Sequence, residues 1–168
     1  MVKKKAAAKS WLYLAIALGL IFVDQFTKNL AIASLELGVN YEVIGEILTW
    51  RLVYNDSAAF SLGFGYTWIL AVISAVATLA TIWFARRITS VSWQIMTGIF
   101  LGGVVGNLID RLIREPSLGN GHVVDFIRIP FNFPVFNLAD VFIVSMAILT
   151  VIRVYRGEYL GGVEPRQK

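Results

Sequence analysis

The chain of 168 residues contains no cysteine and a single histidine, His122. These absences exclude a disulfide framework, a thiolate nucleophile, a cysteine-ligated metal and any two-histidine zinc site of the His-Glu-x-x-His kind. No phosphate-binding glycine loop or dinucleotide fingerprint is present, and there is no internal repeat. Charge is scarce too: 15% of the residues are Asp, Glu, Lys or Arg, against 57% hydrophobic, and the mean hydropathy is +0.69. A composition this apolar excludes an ordinary soluble domain and fits a small integral membrane protein built as one domain, 1–168.

Four apolar runs are long enough to span a bilayer, which takes about 20 residues each. They are Trp11 to Ala33, Tyr66 to Ala85, Val91 to Ile113 and Phe136 to Tyr155. The net charge of +4 would suggest nucleic acid in a soluble protein, but here the basic residues flank span ends. Lys3, Lys4, Lys5 and Lys9 precede the first span, Arg86 and Arg87 join the second to the third, and Arg153, Arg156, Arg166 and Lys168 follow the fourth. Four crossings put all three clusters on one side, so the positive-inside rule predicts that both termini are cytoplasmic. The fold class expected is an all-α integral membrane protein of four transmembrane helices with a small extracytoplasmic β-sheet. Strands are expected over Ile47 to Tyr54, before the turn-forming Asn55-Asp56-Ser57, and over His122 to Ile129, before Pro130. The tail 157–168 is polar and is expected to fray. The first span also resembles a secretion signal, but Asp24 and Lys28 interrupt it and three later spans need it, so an intact first span is expected.

The residues that interrupt the apolar segments all fall at one end of the membrane. Asp24 and Lys28 lie late in the first span, Asn107, Asp110 and Arg111 late in the third, and Asn137 and Asp140 open the fourth. A charge at membrane depth costs about 3 kcal/mol or more, so such groups line a bundle interior or a wet cavity. Asp24 and Lys28, four apart on one helix face, form either a structural ion pair or support for a polar cavity. Arg111 has two outlets, forking onto a carboxylate or carbonyl, or snorkelling to headgroups. Asp110 is expected to orient Arg111 or Lys28. Gly98, Gly102 and Gly106 repeat at four-residue intervals beside Gly103, a pattern for close helix packing that would fix Asn107 and Asp110 in the bundle.

Asp125 and Asp140 remain. Asp140 opens the fourth span, where it can cap the helix, and Asp125 sits in an apolar strand, where it can be solvated. Brought within a few ångströms of each other, however, the two cannot both ionise and would share one proton. Peptide hydrolysis can use that state, one carboxylate taking a proton from water while the protonated partner holds the scissile carbonyl. A serine nucleophile, Ser57 or Ser61, with Lys28 as base ranks second, because Asp24 favours the charged form of the lysine. A proton-coupled small carrier is the alternative from another class, but it should spread polar residues across the whole depth, and the runs 12–23 and 141–152 contain no charge. A structural lipid-binding subunit would leave Asp125 and Asp140 without a common purpose.

These residues fall in five ordered segments: Asp24-Gln25-Phe26-Thr27-Lys28, Asn55-Asp56-Ser57-Ala58-Ala59-Phe60-Ser61, Gly106-Asn107-Leu108-Ile109-Asp110-Arg111, Val124-Asp125-Phe126 and Phe136-Asn137-Leu138-Ala139-Asp140. In that order, around four spans, the chain resembles the bacterial signal peptidase II (prolipoprotein signal peptidase) family of aspartic peptidases from Trp11 to Tyr155. The resemblance implies an enzyme of the bacterial inner membrane that cleaves a diacylglyceryl-modified prolipoprotein before the lipidated cysteine, at the extracytoplasmic face. It implies Asp125 and Asp140 as the catalytic pair. Asn55, Asn107, Arg111 and Asn137 would position substrate or support the pair, and Asp24 and Lys28 would brace the site. It implies no cofactor and no metal; the partners are the lipidated signal peptide and membrane lipids, with no nucleic acid and a monomeric state. The departure is Asp56-Ser57, where the family commonly has Thr-Gly.

Overall fold

The computed structural model describes residues 11–56 and 67–162. Four helices carry the chain: α1 (Leu12–Ser34), α2 (Thr67–Ala85), α3 (Val91–Ile113) and α4 (Leu138–Tyr155), each long and apolar enough to cross a membrane. Their limits match the expected spans to within two residues. Half of the apolar window of α3 is buried against 6% of that of α4, so α3 is the central helix and α4 turns most of its side chains to the surroundings. In lipid that outward face needs no cover, because acyl chains are as apolar as the helix.

The small residues of α3 explain how closely it packs against two of its neighbours, α1 and α4. A methyl group placed on Gly98 would lie 2.7 Å from the Tyr13 carbonyl oxygen, and one on Gly102 would lie 2.9 Å from Leu20 Cβ, so these two glycines seat α1. Gly103, one residue round the helix, faces α4, where an added Cβ would meet the Ala139 carbonyl oxygen at 2.5 Å. Gly106 meets the Asp24 carboxylate at the same hypothetical distance. The glycine repeat thus packs two helices, and it ends where the polar groups begin.

Three strands form an antiparallel sheet in the order β1 (Tyr41–Ile44), β2 (Leu48–Asn55) and β3 (Val123–Arg128). The strands expected from sequence correspond to β2 and β3. β1 is an addition, a four-residue edge strand hairpinned onto β2 in a segment that also carries Glu42 and Glu46 and so lacks a strand composition. Asn55 closes β2 rather than opening a turn, and Ser57 lies outside the described residues. β3 is buried along nearly its whole length, with Val124, Phe126 and Ile127 packed against Ala31 of α1 and Leu52 of β2. The chain then turns back through Pro130 to Phe133 and is stitched to β3 again: Ile127 N donates to Phe136 O at 2.8 Å, and Phe136 N donates to Ile127 O at 3.0 Å. That return is what delivers Asn137, the first residue before α4, beside Asp125.

At the other end of the bundle the tail is ordered further than its composition predicts. Leu160–Gly162 form a 3₁₀ turn in which Gly161 is buried against Phe84 and Ile88, and Arg153 stacks on Trp93 and pairs with Glu158. Hydrophobic contact fixes a segment that polarity alone marks as frayed; Val163 to Lys168 lie outside the described residues.

Two glycine substitutions should separate packing from helix propensity. Gly103→Ala is expected to lower stability by about 1–3 kcal/mol through overpacking. Gly19→Ala, where nothing lies within 4 Å of the added methyl, should raise it by up to about 1 kcal/mol. Melting midpoints in detergent micelles check this, and equal shifts for both would contradict the close α3–α4 approach.

Candidate active site

Burying Lys28 completely, as the fold does, leaves its ammonium three donors to satisfy and no water to satisfy them. Nζ lies 2.9 Å from Asp24 Oδ2 and 2.8 Å from Asp110 Oδ2, and donates to Asn107 Oδ1 at 2.9 Å. Asp24 and Asp110 are equally buried. Asp110 also accepts from Arg114 Nε at 2.8 Å and from Gln25 Nε2 at 3.0 Å. Two carboxylates face one ammonium and one guanidinium, so the cluster is neutral as a whole, the condition under which charges persist in an apolar interior.

The lysine dictates the orientation of the amide next to it. Because Lys28 can only donate, Asn107 must turn its carbonyl oxygen to Nζ and its NH2 group the other way. That NH2 donates to Asp140 Oδ1 at 2.8 Å. Asn137 forms the second link. Its Nδ2 donates to Asp125 Oδ1 at 2.6 Å and to Asn107 Oδ1 at 3.2 Å, its Oδ1 accepts from Asp140 N at 3.1 Å, and its own backbone N–H donates to Asp140 Oδ2 at 3.1 Å. The last two bonds are a capping box at the start of α4. Capping and site geometry are therefore the same set of bonds, and the two roles open to Asp140 in the sequence are compatible.

Asp125 is held from the sheet side as well. Val53 of β2 stands opposite Asp125, so Asn55, two residues further on, is its diagonal neighbour on the same face. Asn55 Nδ2 donates to Asp125 Oδ2 at 2.8 Å. All four oxygens of Asp125 and Asp140 thus accept an N–H bond, and Asn137 touches both residues. Asp125 is 2% exposed, so it is no solvated strand residue. Burial, and after it the charge of Asp140, push its carboxyl up to about 7, against the downward pull of the Asn55 and Asn137 hydrogen bonds and the Lys28 charge.

Of the outlets open to it, Arg111 takes a carbonyl. It neither snorkels nor pairs with Asp110: it is buried, its Nη1 donates to Asn107 O at 3.3 Å, and its Nε finds no hydrogen-bond partner among the described residues. Adjacent positions on a helix point in different directions, so Asp110 faces α1 while Arg111 faces the cavity that holds Asp125 and Asp140. Asp110 orients Lys28, the other partner expected of it. Sequence reasoning missed Gln25 and Arg114, although Arg114, the residue that caps α3, follows Asp110 by four, the spacing of a helix-surface pair. Lys28, the base that a serine mechanism would need, is occupied by two carboxylates; Ser57 and Ser61 lie outside the described residues. Among the described residues, no group of three or more His, Asp or Glu side chains is placed to hold a metal.

The two carboxylates open on a cavity of about 520 Å³. Its polar end is Asn55, Asn107, Arg111, Asp125 and Asp140, and its wall is apolar, running from Phe133 and Phe136 down Val141, Val144 and Ile148 on one face of α4. An apolar space with a few convergent polar groups is the usual form of a ligand site. A four-span protein in which the buried Asp125 and the half-buried Asp140 face such a space has the form of a membrane-embedded enzyme.

The comparisons narrow this class. A model of the family Signal peptidase (SPase) II matches residues 16–156. The lipoprotein signal peptidase of Leifsonia xyli subsp. xyli is 42% identical over 167 residues, covering 99% of this chain and 77% of that protein. The lipoprotein signal peptidase of Mycobacterium avium is 41% identical over 157 residues, covering 94% and 86%. A solved bacterial membrane enzyme superposes with a TM-score of 0.78 at 26% identity, over 93% of this chain and 94% of that one. The chain belongs to the signal peptidase II family of aspartic peptidases, and is an enzyme with protease activity.

The raised Asp125 carboxyl has a thermodynamic consequence. Its ordinary value is 3.8 and its folded value about 7, so between these the native state holds a proton that the unfolded chain has lost. The contribution of this group to stability therefore falls as pH rises from about 4 to about 7, by up to about 4 kcal/mol at about 1.4 kcal/mol per unit. Melting midpoints in micelles should fall more steeply across that window for the wild type than for Asp125→Asn; parallel slopes would contradict the shift.

Proposed function

We propose that this chain is a single-domain endopeptidase of the bacterial cytoplasmic membrane that removes the signal peptide from diacylglyceryl-modified prolipoproteins, cutting before the lipidated cysteine. The reading rests on one observation above others: two carboxylates tied to the same asparagine at the polar end of an apolar, α4-lined cavity. Charge balance supports a shared proton. Arg111 lies within electrostatic reach of both acids, and a singly protonated pair carries one negative charge against its one positive charge.

Asp125, the acid pushed up by burial, carries the proton and hydrogen-bonds the scissile carbonyl oxygen. Asp140, ionised, takes a proton from a water molecule as the water oxygen bonds to the carbonyl carbon, and Asp125 gives its proton to the carbonyl oxygen. Collapse of the gem-diol then breaks the C–N bond as Asp140 gives the proton it took from water to the leaving nitrogen and Asp125 takes a proton back from a gem-diol hydroxyl, which restores the singly protonated pair. The amides of Asn55, Asn107 and Asn137 hold the acids in place, and Arg111 is left to meet the substrate. No covalent intermediate and no metal is required by this sequence.

The apolar wall suits a lipid-bearing signal helix that enters sideways from the bilayer, because α4 turns both the cavity wall and its lipid-facing side toward the same surroundings. The basic residues at the opposite ends of the spans support cytoplasmic termini and an outward-facing site. Membrane lipids are then the surrounding partners, and a monomer suffices, since both acids belong to one chain.

Asp125→Asn and Asp140→Asn are each expected to abolish cleavage of a lipidated precursor while the protein still inserts and folds. An unlipidated precursor should be left uncut by the wild type. Either variant processing the lipidated precursor normally would contradict the acid pair, and full cleavage of the unlipidated one would contradict the substrate class. Chelators should leave the activity unchanged; inhibition reversed by added zinc would overturn the metal-free mechanism.

A further inference from the structure

At the end of the bundle opposite the acids, a second recess is cut into the surface. α2 and α4 each pack on α3 and leave between them a largely apolar groove of about 510 Å³. Its floor is Trp93, Met96 and Phe100 of α3, spread over about 10 Å of the helix axis. The walls recede because they carry small side chains, Ala80 on α2 and Ala147 on α4. The 3₁₀ turn after α4 lays Leu160 against the end of the groove, and it is seated by Gly161 on Phe84 and by Gly162 on Ser90. Entry is therefore sideways, between α2 and α4. Water in such a recess would find too few polar partners, so inside a bilayer it is filled by hydrocarbon.

The rim determines which hydrocarbon. Trp11, Trp83, Tyr155 and Tyr159 are all exposed at this end, and exposed Trp and Tyr at span ends mark the headgroup level. At the same level the described residues hold four arginines, Arg86, Arg87, Arg153 and Arg156, against one acid, Glu158. Glu158 is taken by Arg153, which stacks on Trp93 of the groove floor. The other three arginines are exposed, and none is in an ion pair among the described residues. Arg87 lies 4.0 Å over the Trp83 ring, one turn past Phe84 of the groove wall. A guanidinium braced on a ring at headgroup depth suits a phosphate.

We infer that this groove is a binding site for an anionic phospholipid, with one acyl chain against Trp93, Met96 and Phe100 and the phosphate on the rim arginines, Arg87 foremost. Basic recesses between transmembrane helices bind anionic headgroups. A zwitterionic lipid also offers a phosphate, but its ammonium would meet only Glu158, which is already paired. A second copy of the chain is the poorer occupant, because a symmetric contact here sets arginines against arginines. In the topology proposed above, the lipid belongs to the cytoplasmic leaflet. Seated there it touches α2, α3 and α4 at once, so its presence is read as stability of the bundle. The inference does not rest on the acid pair.

The test is native mass spectrometry of the full chain released from micelles holding equal amounts of phosphatidylglycerol and phosphatidylcholine, with melting midpoints in each lipid. Wild type should keep one phosphatidylglycerol per chain under conditions that strip phosphatidylcholine, and its midpoint should rise with phosphatidylglycerol alone. Arg87→Gln should weaken retention about 5-fold, and Arg86→Gln combined with Arg87→Gln about 25-fold, at about 5-fold for each basic group near the headgroups. Ala80→Leu fills the groove, keeps the arginines, and should lose the bound lipid. Equal retention of the two lipids, or retention untouched by these substitutions, would overturn the site. Dimers that carry no lipid would also overturn it and assign the groove to a second copy. Arg87 is exposed, so its substitution decides the matter alone if Ala80→Leu fails to accumulate.

Discussion

An ammonium with no exposure to solvent, in the last third of the apolar helix α1, is the constraint around which this molecule is arranged. Lys28 needs three acceptors and has them in Asp24, Asp110 and Asn107. Removing one partner of a buried ion pair costs about 3–5 kcal/mol, because the other charge is stranded. The three acceptors come from α1 and α3, so satisfying the lysine fixes the rotation and depth of these helices against each other. The glycines of α3 make the approach possible, and Gly106 does so at the Asp24 carboxylate itself.

From that centre, polarity is handed outward one bond at a time. Lysine orients the Asn107 amide, the amide donates to Asp140, Asp140 closes the capping box with Asn137, and Asn137 donates to Asp125. Each group in the sequence has its donor or acceptor sense set by the one before it. A buried network satisfied in this way is rigid, whereas a half-satisfied one would be worse than an apolar core. The exception is Arg111, whose Nε lacks a partner among the described residues and which faces the cavity. Arg111 lines the cavity beside both acids, which supports the proposed substrate-holding role.

Much of this was legible in the sequence, because membranes make polarity conspicuous. The four spans, the collection of Asp24, Lys28, Asn107, Asp110, Arg111, Asn137 and Asp140 at one level, and the packing use of the glycines all follow from the expense of charge and backbone in lipid. The strands β2 and β3 were visible in their β-branched and aromatic runs. What was not legible depended on backbone. The donation of Val124 N to Asp110 and of Ala139 N to Asp24 carries no side-chain signature, and β1 exists because β2 offers it an edge. Of the two partners that the cost of an unpaired carboxylate allows Asp110, the structure takes Lys28, because neighbouring positions on a helix point in different directions and Arg111 faces the cavity. The order of 158–162 was hidden for the opposite reason, since a polar stretch with two glycines packs through Gly161 onto Phe84.

The central claim is that Asp125 and Asp140 together hold one proton at the working pH. Isotope-edited infrared spectroscopy of the protein in lipid, with aspartate carboxyls labelled, measures that proton directly. One protonated carboxyl band that persists well above the ordinary aspartate value of 3.8, disappears around pH 7 and is absent from Asp125→Asn is the predicted result. Two carboxylates ionised together from pH 5 upward would contradict the account.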